Sequence, residues 1–289
     1  MIKSRRTRVG DWVIVFICIL VILACLLPLL NIVARSLSSA EAMVKNQVLL
    51  LPVGLNFTAY TTVLADTKVT WSLGWTAILT VVSTIWCMFM TIICAYPLIY
   101  DNLKGKKLIM ALILFTMYFN AGIIPTYLLL KGLHLLNNPL VLILPGSISV
   151  FNVIIMRSFF FGIPESLKES AELDGAGPLR VLVNVYLPLS MPVLATLSLF
   201  YAVGRWNGFT DALMFMTDRH YYPIQLLLYN ILNSINSVEV ATQEGFTSPG
   251  LSESIKAATV VFATVPILLI YPWLQRYFIS GVTIGAVKG

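Results

Sequence analysis

The sequence IPESLKESAELDGAGPLRVLVNVYLPLSMP occupies residues 163–192 and lies between two long apolar segments. Pro164 suits the first position of a helix, and Glu169 is an acidic group towards the N-terminal end, where the helix dipole favours negative charge. Asp174 and Gly175 provide a stop at the other end. The pattern therefore predicts a short helix from the proline to the aspartate. Because so short a helix is marginal alone in water, we expect it to pack against another surface.

The composition of the whole chain excludes a soluble protein. Of its 289 residues, 58% are hydrophobic and only 11% are charged, and the mean hydropathy is +0.87. A soluble domain carries about 25% charged residues, because its surface faces water. The chain is therefore predicted to be a polytopic membrane protein.

Six apolar runs have the length of a membrane crossing, which needs about 20 residues. The first, Trp12–Ala34, follows a basic N-terminus but exceeds the roughly 7–15 residues of a signal-peptide core, so we interpret it as an uncleaved transmembrane helix. The other five runs are Leu73–Tyr100, Leu108–Leu130, Pro139–Phe161, Val185–Met216 and Ala257–Tyr277. The fifth of the six is longer than one span and is either tilted or broken near Gly204. The predicted fold class is all-α, a polytopic membrane protein with six transmembrane helices.

The distribution of basic residues predicts the orientation of the chain. Six spans place both termini on one side, and segments 1–11, 101–107, 157–184 and 276–289 hold 12 of the 19 Lys and Arg residues. Because short cytoplasmic loops are enriched in Lys and Arg, we expect these segments and both termini in the cytoplasm. The isoelectric point near 9.1 then reflects membrane topology, and nucleic-acid binding is not expected.

The chain is predicted to divide into three parts. Residues 1–35 form a basic N-terminus with the first transmembrane helix, residues 72–280 form a transmembrane domain of five helices, and residues 281–289 form a cytoplasmic tail. The inner loop 157–184 lies within the second part. The apolar piece Ile224–Leu232 is too short to span, and we expect it to lie at the interface or to fold back into the bundle.

The inner loop contains a set of residues with regular spacing: Glu169, Ser170, Ala171, Gly175, Val185, Leu187 and Pro188. The set resembles the EAA motif of ABC importer permeases, which reads E-A-A, three residues, G, nine residues, I, one residue, L-P. The spacing is kept throughout. Ser170 and Val185 are mild departures from the residue types of the motif.

Other parts of the chain resemble the carbohydrate-uptake branch of this family. The similar stretches are Ala95-Tyr96, Gly122-Ile123-Ile124-Pro125, Phe151-Asn152, Trp206-Asn207, Gln275-Arg276-Tyr277-Phe278 and Gly285-Ala286-Val287-Lys288-Gly289. The chain is similar to the shorter permease of maltodextrin-type importers and to permeases for complex sugars and oligosaccharides. Asn120-Ala121 ahead of Gly122 departs from the glycine pair expected there. The resemblance implies a type I ABC importer permease (MetI-like) fold.

The resemblance also implies a mechanism, in which the EAA loop forms a coupling helix that docks in a groove on a cytoplasmic ATPase. The implied partners are a second homologous permease, two copies of the ATPase, an extracytoplasmic solute-binding protein, a sugar or oligosaccharide, and membrane lipid. The chain would bind no cofactor, because ATP and Mg²⁺ belong to the ATPase. It would form half of a translocation pathway in the bacterial cytoplasmic membrane. The implied ATPase-coupling residues are Glu169, Ser170, Ala171, Asp174, Gly175, Leu187 and Pro188.

A second group of residues is a candidate substrate pathway. Trp206, Asn207 and Asp211 lie in the outer half of the fifth run. An ionisable group at membrane depth favours a water-filled path, and an aromatic ring beside hydrogen-bonding groups suits a sugar. Contacts between helices, an interfacial tryptophan and a solvated aspartate are the alternative explanation. Asn120 and Asn152 are further candidates, although packing hydrogen bonds are the favoured explanation for these single amides.

The sequence contains no constellation that suggests catalysis or metal binding. The Gly105-Lys106 pair lacks the rest of a phosphate-binding loop, so the chain is expected neither to hydrolyse ATP nor to be an enzyme. His134 and His220 are isolated, with no partner at metal-ligand spacing. Two alternatives to a permease subunit stay open: a secondary transporter of small polar solutes working without an ATPase, with Asp211 as its coupling acid, and a membrane enzyme or scaffold.

Overall fold

The computed structural model describes residues 5–241 and 253–269, and every regular element within these ranges is helical. The α-helices are α1 (Arg5–Ser36), α2 (Ala40–Val44), α3 (Thr58–Ala65), α4 (Thr67–Ala95), α5 (Lys106–Tyr118), α6 (Ile123–Gly132), α7 (Val150–Phe161), α8 (Glu165–Leu173), α9 (Pro178–Val181), α10 (Leu187–Leu189), α11 (Met191–Asn207), α12 (Thr210–Phe215) and α13 (Ile224–Ala241). Short 3₁₀-helices cover Pro97–Ile99, Pro139–Leu142 and Arg219–Tyr221, and a π-helical turn covers Leu182–Tyr186. Residues 253–269 are also helical. The all-α prediction is confirmed.

Two helical segments, Gly10–Ser36 and Thr67–Ile99, are long and apolar enough to cross a membrane by themselves. Three further pairs of helices reach that length only together, and each pair is bent: α5 with α6 by 114°, α7 with α8 by 72°, and Pro178–Leu189 with α11 by 84°. The described residues therefore provide up to five spans. Of the sixth predicted span, residues 270–277 lie outside the described residues, as does the predicted tail 281–289.

The prediction of one continuous third span over Leu108–Leu130 is wrong. α5 ends at Tyr118 and α6 begins at Ile123. Between them Gly122 has φ +88°, a conformation that glycine adopts without steric cost. The Asn120 side chain accepts a hydrogen bond from the Gly122 N–H at 2.8 Å. The break thus arises from backbone geometry in a segment whose apolar character is continuous.

The predicted fourth span, Pro139–Phe161, is also interrupted. Its first residues form the 3₁₀-helix, and α7 starts only at Val150. The Ser149 hydroxyl accepts a hydrogen bond from the Asn152 N–H at 3.4 Å. A serine that caps a helix in this way marks its beginning, so the span comprises two helical pieces.

The predicted fifth run, Val185–Met216, contains a break, but not at Gly204. Gly204 lies inside α11, which continues to Asn207. One interruption falls at Ser190, where Pro178–Leu189 and α11 meet at 84°, and another falls at Gly208 and Phe209, between α11 and α12. The break at Gly208 is within about one helical turn of the predicted position, whereas the bend at Ser190 was not predicted.

The chain divides into two compact units, Met1–Thr70 with Leu227–Val265 and Trp71–Leu226 with Pro266–Gly289. In the first unit, most apolar side chains of α1 are exposed. The C-terminal end of α1 is anchored by polar contacts: Arg35 forms an ion pair with Glu253, and the Ser36 hydroxyl lies 2.7 Å from the Tyr60 hydroxyl. The apolar length of α1 is thus free to contact lipid or another subunit.

The second unit contains two clusters of buried side chains. One joins the C-terminal end of α4 to α7 and α11 and includes Met156 and Phe160, which are 0% and 1% exposed. The other joins the middle of α4 to α6 and α12 and includes Leu79, Leu130 and Leu226. Because Leu226 belongs to this cluster, the start of the predicted interfacial piece folds back into the bundle.

Candidate coupling surface and substrate pathway

The short helix predicted in the inner loop is α8. Pro164 is the residue before its first turn, and Asp174 is the residue after its last. The predicted helix is confirmed, with one residue fewer at each end. The proline nitrogen has no hydrogen to leave unsatisfied at a helix start, which is why the chain can turn into the helix here.

The C-terminal end of α8 is closed by Gly175. This residue has φ +77°. Its N–H donates to the Glu172 carbonyl at 3.0 Å, and the Ala176 N–H donates to the Ala171 carbonyl at 3.0 Å. This pair of bonds is a common helix ending with glycine in the left-handed conformation. An added Cβ at Gly175 would meet open space, so backbone conformation, not crowding, requires the glycine.

One face of α8 packs against the protein. The side chain of Ala171 is partly buried against the cluster that contains Tyr96 and Phe160. The Lys168 ammonium lies 4.7 Å from the centroid of the Tyr100 ring, a distance at which a cation is attracted to an aromatic face. The helix is therefore seated on the end of the membrane bundle.

The opposite face of α8 is exposed. Leu173 is 89% exposed and Leu179, in α9, is 76% exposed. Exposed carboxylates and a hydroxyl lie on the same segment. We use the name α8 surface for the exposed residues Glu169, Ser170, Leu173, Asp174, Gly175 and Leu179. A mixed apolar and acidic surface of this kind is suited to binding another protein.

Two tyrosines tie the segment after α8 to the end of α4. The Tyr96 hydroxyl donates to the Pro178 carbonyl at 2.9 Å and lies 2.5 Å from the Tyr100 hydroxyl. The Tyr96 ring meets the rings of Phe160 and Tyr186 edge to face, with centroids 6.3 and 5.4 Å apart. These contacts connect the segment after α8 to the C-terminal end of α4.

The turn between α4 and α5 contains an exposed ion pair. The Lys106 ammonium donates to the Asp101 carboxylate at 2.8 Å. This hydrogen bond and the charge of Lys106 hold the pKa of the Asp101 carboxyl below its usual range. The ion pair thus favours the charged form of this exposed carboxyl.

The second half of the EAA-like set lies at a kink. Leu187 is partly buried against the Tyr96 cluster, whereas Pro188 is exposed. The π-helical turn precedes Pro188, because a proline cannot donate to the helical ladder. The residues predicted to couple thus fall into three groups: Glu169, Ser170, Asp174 and Gly175 on the exposed surface, Ala171 and Leu187 packed inwards, and Pro188 at the kink.

The predicted pathway residue Asp211 is paired. The Arg205 Nη1 and Nη2 groups donate to its carboxylate oxygens at 2.6 and 2.9 Å, and Nη1 also donates to the Leu142 carbonyl. The sequence does not predict this pair, because residues six apart point in different directions on a continuous helix. The break at Gly208 brings them together, and a glycine between two opposite charges was the only sequence signal.

The structure does not gather the predicted pathway residues into one site. The other four are Trp206, Asn207, Asn120 and Asn152. Trp206 and Asn152 are buried, at 7% and 4% exposure, and the Asn207 amide donates to the Val203 carbonyl of its own helix at 3.0 Å. A cavity of about 390 Å³ is lined by Asp211 and by none of these four.

A polar stripe on α4 was not predicted as part of a site. Buried polar and thiol side chains recur on one face of the helix at Ser72, Thr76, Ser83, Cys87 and Thr91. The Thr91 hydroxyl lies 2.7 Å from the Tyr201 hydroxyl. The sequence shows the helical spacing of these residues. It does not show which helices they face. Within the described residues, no group of three His, Cys, Asp or Glu side chains could hold a metal ion.

The bent apolar helices and the α8 surface together define an all-helical membrane permease. The family described as "Binding-protein-dependent transport system inner membrane component" matches residues 80–284, and this chain belongs to that family. The chain is therefore a multi-pass inner-membrane protein and a non-catalytic subunit of a transport system. The family resemblance predicted from the sequence is confirmed.

The similar proteins cover nearly the whole chain. It is 38% identical to the polygalacturonan/rhamnogalacturonan transport system permease protein YtcP of Bacillus subtilis (strain 168), over 98% of this chain and 100% of that protein. It is 40% identical to Protein LplC of the same organism, over 91% of this chain and 90% of that protein. The crystal structure of a bacterial ABC transporter involved in the import of the acidic polysaccharide alginate matches with a TM-score of 0.87 and 31% identity, covering 96% of this chain and 99% of that chain.

Proposed function

We propose that this chain is the transmembrane subunit of an ATP-driven oligosaccharide importer and that it couples to a cytoplasmic ATPase through the α8 surface. The main support for this proposal is that α8 is packed on one face and exposed on the other. Its inner face is seated on the Tyr96 cluster, whereas Leu173 on its outer face is 89% exposed. A partner that binds the outer face of α8 can therefore move the membrane helices against which the inner face of α8 packs.

The family resemblance implies the rest of the proposed assembly. A second homologous permease completes the pathway, two copies of the ATPase bind ATP and Mg²⁺, and an extracytoplasmic binding protein delivers the substrate. The α8 surface, the turn at 101–107 and both termini face the cytoplasm, in keeping with their basic residues. The exposed residues of the EAA-like set, Glu169, Ser170 and Gly175, supply the contact with the ATPase.

An oligosaccharide substrate is supported by the relatives. Their names refer to polygalacturonan, rhamnogalacturonan and the acidic polysaccharide alginate. The secondary-transporter alternative is weakened, because Arg205 neutralises Asp211, the acid on which that alternative depends. Contact of the substrate with Trp206, Asn207, Asn120 and Asn152 stays a prediction.

Affinity purification of the full chain in mild detergent tests the proposal. We expect a Walker-type ATPase and a second permease to co-purify. Leu173→Asp is expected to lower the ratio of ATPase to chain by about tenfold, the effect of losing about 1.4 kcal/mol of binding free energy, and to leave the second permease in place. The ratio is measured by quantitative mass spectrometry.

Leu133→Asp is the matched control, because Leu133 is 58% exposed at the end of α6 and lies outside the α8 surface. It is expected to retain the ATPase at the wild-type ratio. Absence of any ATPase from the wild-type preparation, or equal ratios in the two variants, would falsify the proposed coupling.

A further inference from the structure

The segment between α2 and α3 exposes large apolar side chains. Leu49 and Leu51 are 75% and 77% exposed, and Leu55 and Phe57 are also exposed. We use the name apolar loop for residues 48–57, which include no charged side chain. Because large apolar side chains that are exposed together mark an interaction surface, the apolar loop requires a partner of apolar character.

The base of the apolar loop is bonded to the residues that follow α1. The Ser39 N–H donates to the Val53 carbonyl at 3.1 Å, and the Asn56 N–H donates to the Leu37 carbonyl at 2.9 Å. The Val53 N–H donates to the Ser38 hydroxyl oxygen at 3.1 Å. These bonds fix the position of the loop relative to the C-terminal end of α1.

A glycine allows the loop to approach the helix end this closely. Gly54 has φ +66°, and an added Cβ at this position would lie 2.8 Å from the Ser39 hydroxyl oxygen. Glycine has no Cβ and adopts a positive φ without steric cost. The path of the loop along the end of α1 is therefore defined by the backbone.

The tip of the loop lies beside the membrane-spanning part of α1. The Asn31 side-chain amide donates a hydrogen bond to the Leu49 carbonyl. Asn31 precedes Ser36, the last residue of α1, by five residues, so it lies about 7.5 Å from the helix end towards the middle of the span. Interfacial segments bury their apolar side chains by about 5–10 Å at the boundary between lipid headgroups and acyl chains. The tip of the loop is therefore at the depth of that boundary.

The bond from Asn31 to Leu49 satisfies two polar groups that would be costly in lipid without a partner. The exposed apolar surface of α1 continues into the loop. From these observations we propose that the apolar loop binds phospholipid, with Leu49, Leu51, Leu55 and Phe57 inserted in the leaflet that surrounds the C-terminal end of α1. The inserted loop fixes the height of this helix end in the membrane. The proposal depends neither on coupling to an ATPase nor on the identity of the substrate.

A fluorophore measures the environment of the loop in the full chain, reconstituted with the subunits that co-purify with it into nanodiscs of phosphatidylethanolamine and phosphatidylglycerol. The four native cysteines are replaced by serine, and the dye NBD is attached at Leu51→Cys. We expect a nitroxide on the lipid acyl chain, close to the headgroup, to quench the dye. Iodide in the water is expected to quench it about tenfold less than at Glu41→Cys, because an ion does not enter the apolar layer. Glu41 is the matched control, since it is exposed, charged and part of the same unit.

The chain with its native cysteines provides a second measurement. A phospholipid with a photoactivatable diazirine on its acyl chain is added to the same nanodiscs, and its adducts are mapped by mass spectrometry after digestion with trypsin. Cleavage after Arg35, Lys45 and Lys68 separates peptide 46–68, which contains the loop, from peptide 36–45, which contains α2. We expect at least about fivefold more adduct per residue in the first peptide.

The double variant Leu49→Ser, Leu51→Ser is expected to lower adduct formation in peptide 46–68 by about tenfold, because two side chains no longer favour the lipid. Val44→Ser is its control, since Val44 is 59% exposed but lies in α2, outside the loop. It is expected to leave the adducts unchanged. The proposal is overturned if iodide quenches the dye equally at positions 51 and 41, which places the loop in water. It is also overturned if neither reagent quenches the dye at position 51, which means that another protein covers the loop, or if the two peptides carry equal adduct.

Discussion

The guanidinium of Arg205 and the carboxylate of Asp211 face each other across the break between α11 and α12, joined by hydrogen bonds of 2.6 and 2.9 Å. Arg205 also donates to the Gly208 carbonyl at 3.5 Å and to the Leu142 carbonyl. One side chain thus binds a carbonyl at the helix end, a carbonyl of a neighbouring segment, and the acid just beyond the break. The ion pair holds the broken helix in one geometry.

Removing one member of this pair is expected to destabilise the protein more than removing both. Asp211→Ala leaves the Arg205 cation, 11% exposed, without its counter-ion, and such a loss costs about 3 kcal/mol. The double variant Arg205→Met, Asp211→Leu removes both charges and is expected to cost less. Thermal unfolding of the detergent-solubilised protein measures the difference. A double variant that is as unstable as Asp211→Ala, or more so, would contradict this expectation.

The helix α8 could be predicted from the sequence, whereas the ion pair between Arg205 and Asp211 could not. The limits of α8 depend on residues within or next to it, Pro164 at one end and Gly175 at the other, so the signal is local. The contact between Arg205 and Asp211 depends on a break in the helix at Gly208. A contact between charged residues six positions apart cannot be predicted unless that break is known.

Hydropathy predicted the apolar segments but not their interruptions. The run Leu108–Leu130 is continuously apolar, yet the chain turns by 114° within it. The turn depends on the positive φ of Gly122 and on the hydrogen bond to the Asn120 side chain. The Asn120 amide was predicted as a candidate for substrate contact. In the structure its side-chain oxygen accepts a hydrogen bond from Gly122, within the turn itself.

Gly175→Ala is expected to distort the end of α8. Gly175 has φ +77°, where a side chain costs about 1–2 kcal/mol. Gly177→Ala is the matched control, because Gly177 has φ −72° and equally open surroundings. We expect uptake of labelled oligosaccharide, normalised to the amount of chain, to fall by about tenfold in the first variant and to be unchanged in the second. Equal uptake in the two variants would show that the left-handed conformation is not needed for coupling.

Tyr96→Phe is expected to loosen the connection between α8 and α4. The substitution keeps the ring but removes the hydroxyl that donates to the Pro178 carbonyl at 2.9 Å, a loss of about 1 kcal/mol. We expect more ATP to be hydrolysed per sugar transported, measured in proteoliposomes that contain the whole importer. Tyr118→Phe is the control, since Tyr118 is 84% exposed. An unchanged ratio of ATP hydrolysed to sugar transported in Tyr96→Phe would mean that the Tyr96 hydroxyl does not contribute to coupling between the two processes.

The N-terminal end of α4 holds the segment 220–224 by bonds from successive side chains. The Trp71 indole donates to the His220 carbonyl at 2.9 Å, and the Trp75 indole donates to the Tyr221 carbonyl at 2.9 Å. The rings of Trp75 and Tyr221 also pack, with centroids 5.5 Å apart. Indole N–H groups on the surface of α4 thus donate hydrogen bonds to the backbone carbonyls of this irregular segment.

Trp75→Phe is expected to release this segment locally without unfolding the chain. The phenyl ring keeps most of the packing against Tyr221, but the carbonyl loses its donor, so opening of the segment becomes easier by about 1 kcal/mol. Hydrogen exchange measured by mass spectrometry should then rise by about fivefold in peptides that cover 219–224. Trp86→Phe is the matched control, because the Trp86 indole donates to the Ser147 hydroxyl at 2.7 Å, away from the segment. Exchange that is unchanged in Trp75→Phe, or raised equally in both variants, would show that the indole N–H does not hold the segment in place.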